Sequence, residues 1–186
     1  TKQIQVEDLD NYLTLTTSIS SIELVPSLLW GDQWDFHEAD LSAVTVQVSA
    51  IQSLLYKLPI LLSDVPRDVT YSELWRERLS KFSLLSTRFP GSVFILGSPH
   101  QRMFRDEEQS DADAIFNQTT YTREILDSLG TNSSLAYENC NSSQGAEFSL
   151  GVNGAIQVIK SVNQQRLGLN FDFEAWVIEV GQRWRS

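Results

Sequence analysis

The sequence predicts an α+β fold in which a helical first half packs on a C-terminal antiparallel β-meander. Before Gly130, apolar residues recur at intervals of three and four, as on one face of a helix; after it, apolar and polar residues alternate, as in a half-buried strand. A chain of 186 residues can bury one substantial core, and no repeat or linker divides it. We therefore expect residues 1–186 to form a single globular domain.

The first helix is predicted to begin at Asp40, a typical N-cap residue, and to end before Pro59. Its apolar stripe consists of Leu41, Val44, Val48, Ile51, Leu55 and Leu58. The β-branched residues Val44, Val46 and Val48 alternate, which favours a strand instead. We prefer the helix because the stripe is longer than most strands.

The second helix carries the best start signal in the chain. Thr70 and Glu73 form a capping box, and Pro90-Gly91 ends the segment. The apolar run Val93 to Leu96 follows, as in a strand buried on both faces. This run supports an alternative to the meander, a three-layer α/β fold with a short central parallel strand near residues 92–97.

A third helix is predicted from Tyr121 to Leu129 on the spacing of its apolar residues. The meander then follows. Its strongest signal is Asn153-Gly154, a type I′ turn between the runs 146–152 and 155–159, with a third strand in 167–180. Leu135 to Glu138 would add a fourth strand.

The charge of the chain limits its partners. Its formal net charge is −10, from 24 acidic and 14 basic residues, with no basic stripe. Nucleic acid and anionic membranes reward clustered Lys and Arg, so we expect neither as a partner. No apolar run is long enough to span a membrane. A protein partner or self-association is the expectation that remains, without a cofactor.

We expect a cytoplasmic location, because the chain has no signal peptide and Cys140 is its only cysteine. A secreted or lumenal location stays open, since three Asn-X-Ser/Thr triplets begin at Asn117, Asn132 and Asn141. The N-terminal Thr1 is consistent with methionine removal and with processing of a longer precursor.

Two groups of polar residues are candidates for chemistry. Ser98 and His100 follow the apolar run near 92–97, and loops after strands are common ligand sites. Asp35, His37 and His100 could supply carboxylate and imidazole ligands to a divalent metal. Their spacing matches no established metal motif, and acids before a helix are ordinary caps.

The densest aromatic segment contains Trp30, Trp34 and Phe36. In one interpretation these rings anchor a long connection to the core; in the other, Trp34 or Phe36 is exposed and binds a partner. Phosphate-binding loops, zinc helices and nucleophile elbows are absent from the sequence. The leading hypothesis is therefore a non-catalytic binding or assembly domain, and the alternative is a small metal-dependent hydrolase that uses Asp35, His37 and His100.

Overall fold

The computed structural model describes residues 21–31, 34–52, 69–96, 110–139 and 151–183. The strands are β1 (Ile22–Leu24), β2 (Val48–Gln52), β3 (Val93–Leu96), β4 (Ser134–Glu138) and β5 (Leu167–Asn170). The helices are α1 (Pro26–Trp30), α2 (Glu38–Leu41), α3 (Val69–Arg88), α4 (Asp111–Ser128), α5 (Gly151–Val162) and α6 (Phe173–Arg183).

All five described strands run parallel, and their order in the sheet is their order in the chain. The predicted α+β fold with an antiparallel meander is therefore wrong, and the protein has an α/β fold. Parallel neighbours require a crossover of a dozen or more residues, which usually contains a helix. The strand named in the alternative prediction is present as β3, the central strand of the sheet.

The crossover helices form a layer on one face of the sheet. Crossovers between parallel strands are almost always right-handed, so a chain that always steps in the same direction places its helices on the same face. Successive helices accordingly touch, α3 with α4, α4 with α5, and α5 with α6.

The core lies between this helical layer and the sheet. One residue from each strand points into it at matching positions along the parallel register, and all of these residues are buried. The row consists of Leu24, Ile51, Phe94, Leu135 and Leu167. Phe82 of α3 packs on Phe94, with ring centroids 5.9 Å apart. Since the side chains of a strand alternate, the residues between these positions belong to the opposite face.

The predicted turn at Asn153-Gly154 is wrong, because both residues lie inside α5. The apolar residues of this segment fit both the alternation of a strand and the spacing of a helix, and the segment forms a helix. Ala155, Val158 and Val162 are buried in the core, whereas Asn153 is exposed. The tertiary reason is the parallel pairing of β4 with β5, which needs α5 as its crossover.

The predicted helix from Asp40 to Pro59 is also wrong within the described residues. The short helix α2 ends at Leu41, and β2 begins at Val48. Pairing with β1 and β3 satisfies the backbone of β2 from both sides, which outweighs the helical spacing of its apolar residues. Residues 53–68 lie outside the described ranges.

Other predicted elements are confirmed. The helix marked by Thr70 and Glu73 is α3, and Gly91 after it adopts a φ of +83°, a conformation that glycine allows at no steric cost. The predicted helix near Tyr121 is present within α4, which begins earlier because Ser110 caps it by accepting a hydrogen bond from the Asp113 backbone N–H at 3.3 Å. In the described ranges, no helix combines the length and the apolar character needed to cross a membrane.

Candidate functional site at the carboxyl ends of β4 and β5

The sheet face opposite the helices combines small, polar and apolar residues. One row across it consists of Glu23, Ala50, Val93 and Ser134, and the next consists of Gln52, Ile95, Ala136 and Gly168. Strands of a parallel sheet that is covered by helices on both faces are usually apolar throughout. This face is mixed, because Ile95 and Ala136 are buried whereas Glu23 and Gly168 are exposed.

Glu138 and Asn170 are the last residues of β4 and β5, and they stand beside each other in the parallel register. The Asn170 amide Nδ2 donates a hydrogen bond to Glu138 Oε1 at 2.8 Å. Both side chains are half-buried. In parallel sheets the carboxyl ends of the strands form the edge at which ligands bind, so this pair is the candidate functional site.

The orientation of Glu138 follows from its neighbour in β4. Tyr137 is buried on the helical side, where its hydroxyl donates to Gln118 Oε1 of α4 at 3.2 Å. Since successive side chains in a strand point to opposite faces, Glu138 belongs to the face away from the helices. The hydrogen bond of Tyr137 therefore fixes the face on which the carboxylate lies.

Asn139 holds the ends of the two strands together. Its Nδ2 donates to the Asp172 carbonyl at 2.9 Å, and its Oδ1 accepts from the Asp172 backbone N–H at 2.7 Å. Its own backbone N–H donates to the Asn170 carbonyl at 3.3 Å. Asn139 is fully buried. It is a positioning residue, because it fixes the segment that carries Asn170 against the segment that carries Glu138.

There is open space next to the pair. Gly168 precedes Asn170 by two positions, so it lies on the same face, and a Cβ built on it would meet no heavy atom within 4 Å. Its register partner Ala136 is also small. A ligand held by Glu138 and Asn170 would therefore have room over Gly168.

The aromatic candidates from the sequence pack with one another and with α3. Trp34 and Phe36 are buried at 1% and 0% exposure, and Trp30 is half-buried with its ring 4.8 Å from that of Phe36. Trp34 packs edge-on to Phe82, with ring centroids 5.0 Å apart. This burial favours the interpretation in which the rings anchor the segment to the core.

A buried cation packs on the same aromatic group. The Arg78 guanidinium lies 5.4 Å from the centre of the Trp34 ring. Burial is the main cause that lowers the pKa of Arg78 from its usual value to about 10, and Glu77 opposes this shift. The contact is a cation–π interaction within the core rather than part of a ligand site.

Only some of the predicted ligand residues lie within the described ranges. Asp35 and His37 are exposed, while Ser98 and His100 lie outside the described residues. The His37 backbone N–H donates to Asp40 Oδ2 at 2.7 Å, so that Asp40 acts as a helix cap. Within the described ranges, no three His, Cys, Asp or Glu side chains form a group that could hold a metal ion. The site of Asp35, His37 and His100 stays a prediction.

The fold and this site together define the class of protein, an α/β protein with a sequentially ordered parallel sheet. No family model matches the chain, and no curated protein matches it in sequence. Solved structures do match. A protein from Sinorhizobium meliloti 1021 aligns with 97% of this chain and 63% of its own, at a TM-score of 0.59 and 9% identity.

A xylose isomerase domain protein from Alicyclobacillus acidocaldarius subsp. acidocaldarius aligns with 93% of this chain and 61% of its own, at a TM-score of 0.58 and 14% identity. The α/β fold of this chain thus resembles the folds of these two solved proteins. At these identities the likeness shows the fold alone. The chain spans about three-fifths of the length of these two solved chains.

Sequence reasoning missed Glu138, Asn139 and Asn170 as site residues. The signal was present, because in each strand a polar residue directly follows a short apolar run. An antiparallel interpretation sends the ends of neighbouring strands to opposite edges, so Glu138 and Asn170 could not be brought together. A parallel interpretation would have placed both at one edge.

Proposed function

We propose that this protein is a binding domain for a small, neutral, polyhydroxylated ligand, which it holds at the carboxyl ends of β4 and β5. The observation that carries the proposal is the hydrogen-bonded pair of Glu138 and Asn170 beside the open space at Gly168. Asn139 supports this pair from behind through its two hydrogen bonds to Asp172. A site supported in this way loses little entropy on binding.

The chemistry of the pair suits adjacent hydroxyl groups. The Glu138 carboxylate accepts hydrogen bonds, while the Asn170 amide offers an acceptor oxygen and a second N–H donor. A pair of neighbouring hydroxyls supplies donors and acceptors in the same combination. Charge–charge repulsion by Glu138 and by the net charge of −10 disfavours phosphorylated or other anionic ligands. A neutral sugar or polyol is therefore the class of ligand that fits.

The structural comparison supports the same class by analogy. One of the similar solved structures is described as a xylose isomerase domain protein, and xylose is a neutral polyhydroxylated molecule. Shared fold does not establish shared function, so the argument depends on the residues of the site.

Isothermal titration calorimetry with D-xylose and a panel of neutral pentoses, hexoses and polyols tests the proposal. We expect saturable binding by at least one member. Glu138→Gln should weaken it about tenfold or more, because the charged acceptor is lost. Gly168→Val should abolish it by filling the open space, without a large loss of stability.

Glu23→Gln is the matched control, because Glu23 is an exposed carboxylate on the same sheet face but on β1. The Glu23→Gln variant should bind the same sugar or polyol with the same affinity as the unmodified chain. The proposal fails if no neutral sugar or polyol binds at 50 mM, a concentration of roughly ten times the Kd of a weak site. It also fails if Glu138→Gln and Glu23→Gln bind equally well.

A further inference from the structure

Helix α6 has an apolar stripe that is exposed to solvent. Phe173, Trp176, Val177 and Val180 are spaced as i, i+3, i+4 and i+7, which places them on one helix face. Phe173 is 64% exposed, Trp176 38% and Val177 46%. Helix α6 also contacts α5, and the stripe remains exposed beside this contact. An amphipathic helix normally buries such a stripe.

The stripe continues into an aromatic group at the end of β5. The Trp176 ring lies 5.7 Å from Phe173 and 6.1 Å from Phe171, which is itself 47% exposed. Side chains of this size bury about 150–250 Å² each, so these residues leave roughly 300–400 Å² of apolar surface in contact with water. That is close to the apolar share of one partner in a standard interface of about 800 Å² per side.

The charges of α6 favour an antiparallel helix as its partner. The described start of the helix is acidic, because Glu174 lies in its first turn and Asp172 directly precedes it. In an antiparallel pair of identical helices, the two acidic starts lie at opposite ends of the contact. The helix dipoles also oppose each other favourably in this arrangement. A parallel pair would instead bring the acidic ends together.

The shape of the stripe fits the same arrangement. With a two-fold axis at Val177, position 173 of one helix lies opposite position 181 of the other. Phe173 is the most exposed residue of the stripe, and Gly181 has open space where a Cβ would stand. A glycine inside a helix costs about 1 kcal/mol relative to alanine. Close approach of a large ring from a second helix gives this glycine a role.

From the stripe, the charges and the pairing of Phe173 with Gly181, we propose that α6 packs antiparallel against α6 of a second copy of this chain. The contact is isologous, so the assembly closes as a dimer. It is separate from the ligand site of Glu138 and Asn170, and it does not depend on the proposed sugar binding.

Sedimentation velocity of the 186-residue chain over a concentration series tests the dimer. We expect a dimer at micromolar concentration. Val177→Glu should raise the dissociation constant about a hundredfold, since two carboxylates would then meet at the axis. Gly181→Leu should also weaken the dimer, because its side chain occupies the place of the Phe173 ring.

Phe116→Glu is the matched control, because Phe116 is 71% exposed on α4 and lies outside the stripe. This variant should dimerise like the unmodified chain. Circular dichroism melting shows that each variant remains folded. A cysteine at the axis gives an independent readout: Val177→Cys should form a disulfide-linked dimer on mild oxidation, well above the level seen with Phe116→Cys.

A chain that remains monomeric at 100 µM would overturn the proposal, since that concentration is above the Kd of even weak specific pairs. A dimer that Val177→Glu leaves intact would overturn it as well, because the contact would then lie elsewhere. If a further strand or another protein covers the stripe instead, the chain should remain monomeric, which is the first of these outcomes.

Discussion

The side chain of Asn139 forms two hydrogen bonds to the backbone of Asp172, in the manner of a neighbouring strand. Its Oδ1 accepts from the Asp172 N–H at 2.7 Å and its Nδ2 donates to the Asp172 carbonyl at 2.9 Å. The pairing continues the β4–β5 ladder beyond its last residues, Glu138 and Asn170. A single buried amide thereby sets the relative position of the two candidate binding residues.

Asn139→Ala should reduce the free energy of unfolding by about 2–3 kcal/mol, because both hydrogen bonds from the side chain to the Asp172 backbone are lost. Urea denaturation measures this loss, and hydrogen exchange of the Asp172 amide should become faster. Asn132→Ala, an exposed position in the turn before β4, should change stability by less than about 0.5 kcal/mol. Equal stabilities of the two variants would show that the side chain of Asn139 does not join the strands.

Trp34→Ala should cost about 3–5 kcal/mol, because Trp34 is 1% exposed and packs on Phe82. Its φ is +52°, a left-handed conformation that is strained for a bulky residue. Glycine adopts this conformation freely, so Trp34→Gly should be more stable than Trp34→Ala by about 1 kcal/mol. Chemical denaturation measures both variants.

Leu28 provides the control for this comparison, since it lies in the helix α1 and is 48% exposed. There the order should reverse, with Leu28→Gly less stable than Leu28→Ala by up to about 1 kcal/mol. The same order at both positions would contradict a left-handed backbone at Trp34.

Asn153→Ala distinguishes the helix α5 from the β-turn that the sequence predicts. Asn153 is exposed in α5, where alanine has the higher helix propensity, so the variant should gain up to about 0.7 kcal/mol in stability. In a type I′ turn the same change would destabilise, because alanine resists a positive φ. Thermal unfolding followed by circular dichroism gives the sign, and a lower melting temperature would count against the helix.

Part of the fold could be predicted from sequence because its signals are local. The capping box at Thr70 and Glu73, the stop at Pro90-Gly91 and the apolar run Val93–Leu96 each depend on neighbouring residues only, and the structure contains α3 and β3 at these places. The segment around Asn153-Gly154 carried a strong local turn signal that the structure does not use. Here the pairing of distant strands decided between two competing periods.

Local sequence signals could not predict the candidate site. Glu138 and Asn170 are separated by 32 positions in the chain, and only parallel pairing brings them into hydrogen-bond contact. The burial of Trp34 and Phe36 likewise depends on contacts with α3 that no local pattern reveals.

The sequence by itself determined the charge of −10 and the positions of α3 and β3. These follow from composition and from interactions between near neighbours. The tertiary structure alone decided the direction of the strands, and therefore which edge of the sheet holds Glu138 and Asn170 together. The physical reason is that strand direction is set by crossover helices and by the burial of their apolar faces, which involve residues far apart in the chain.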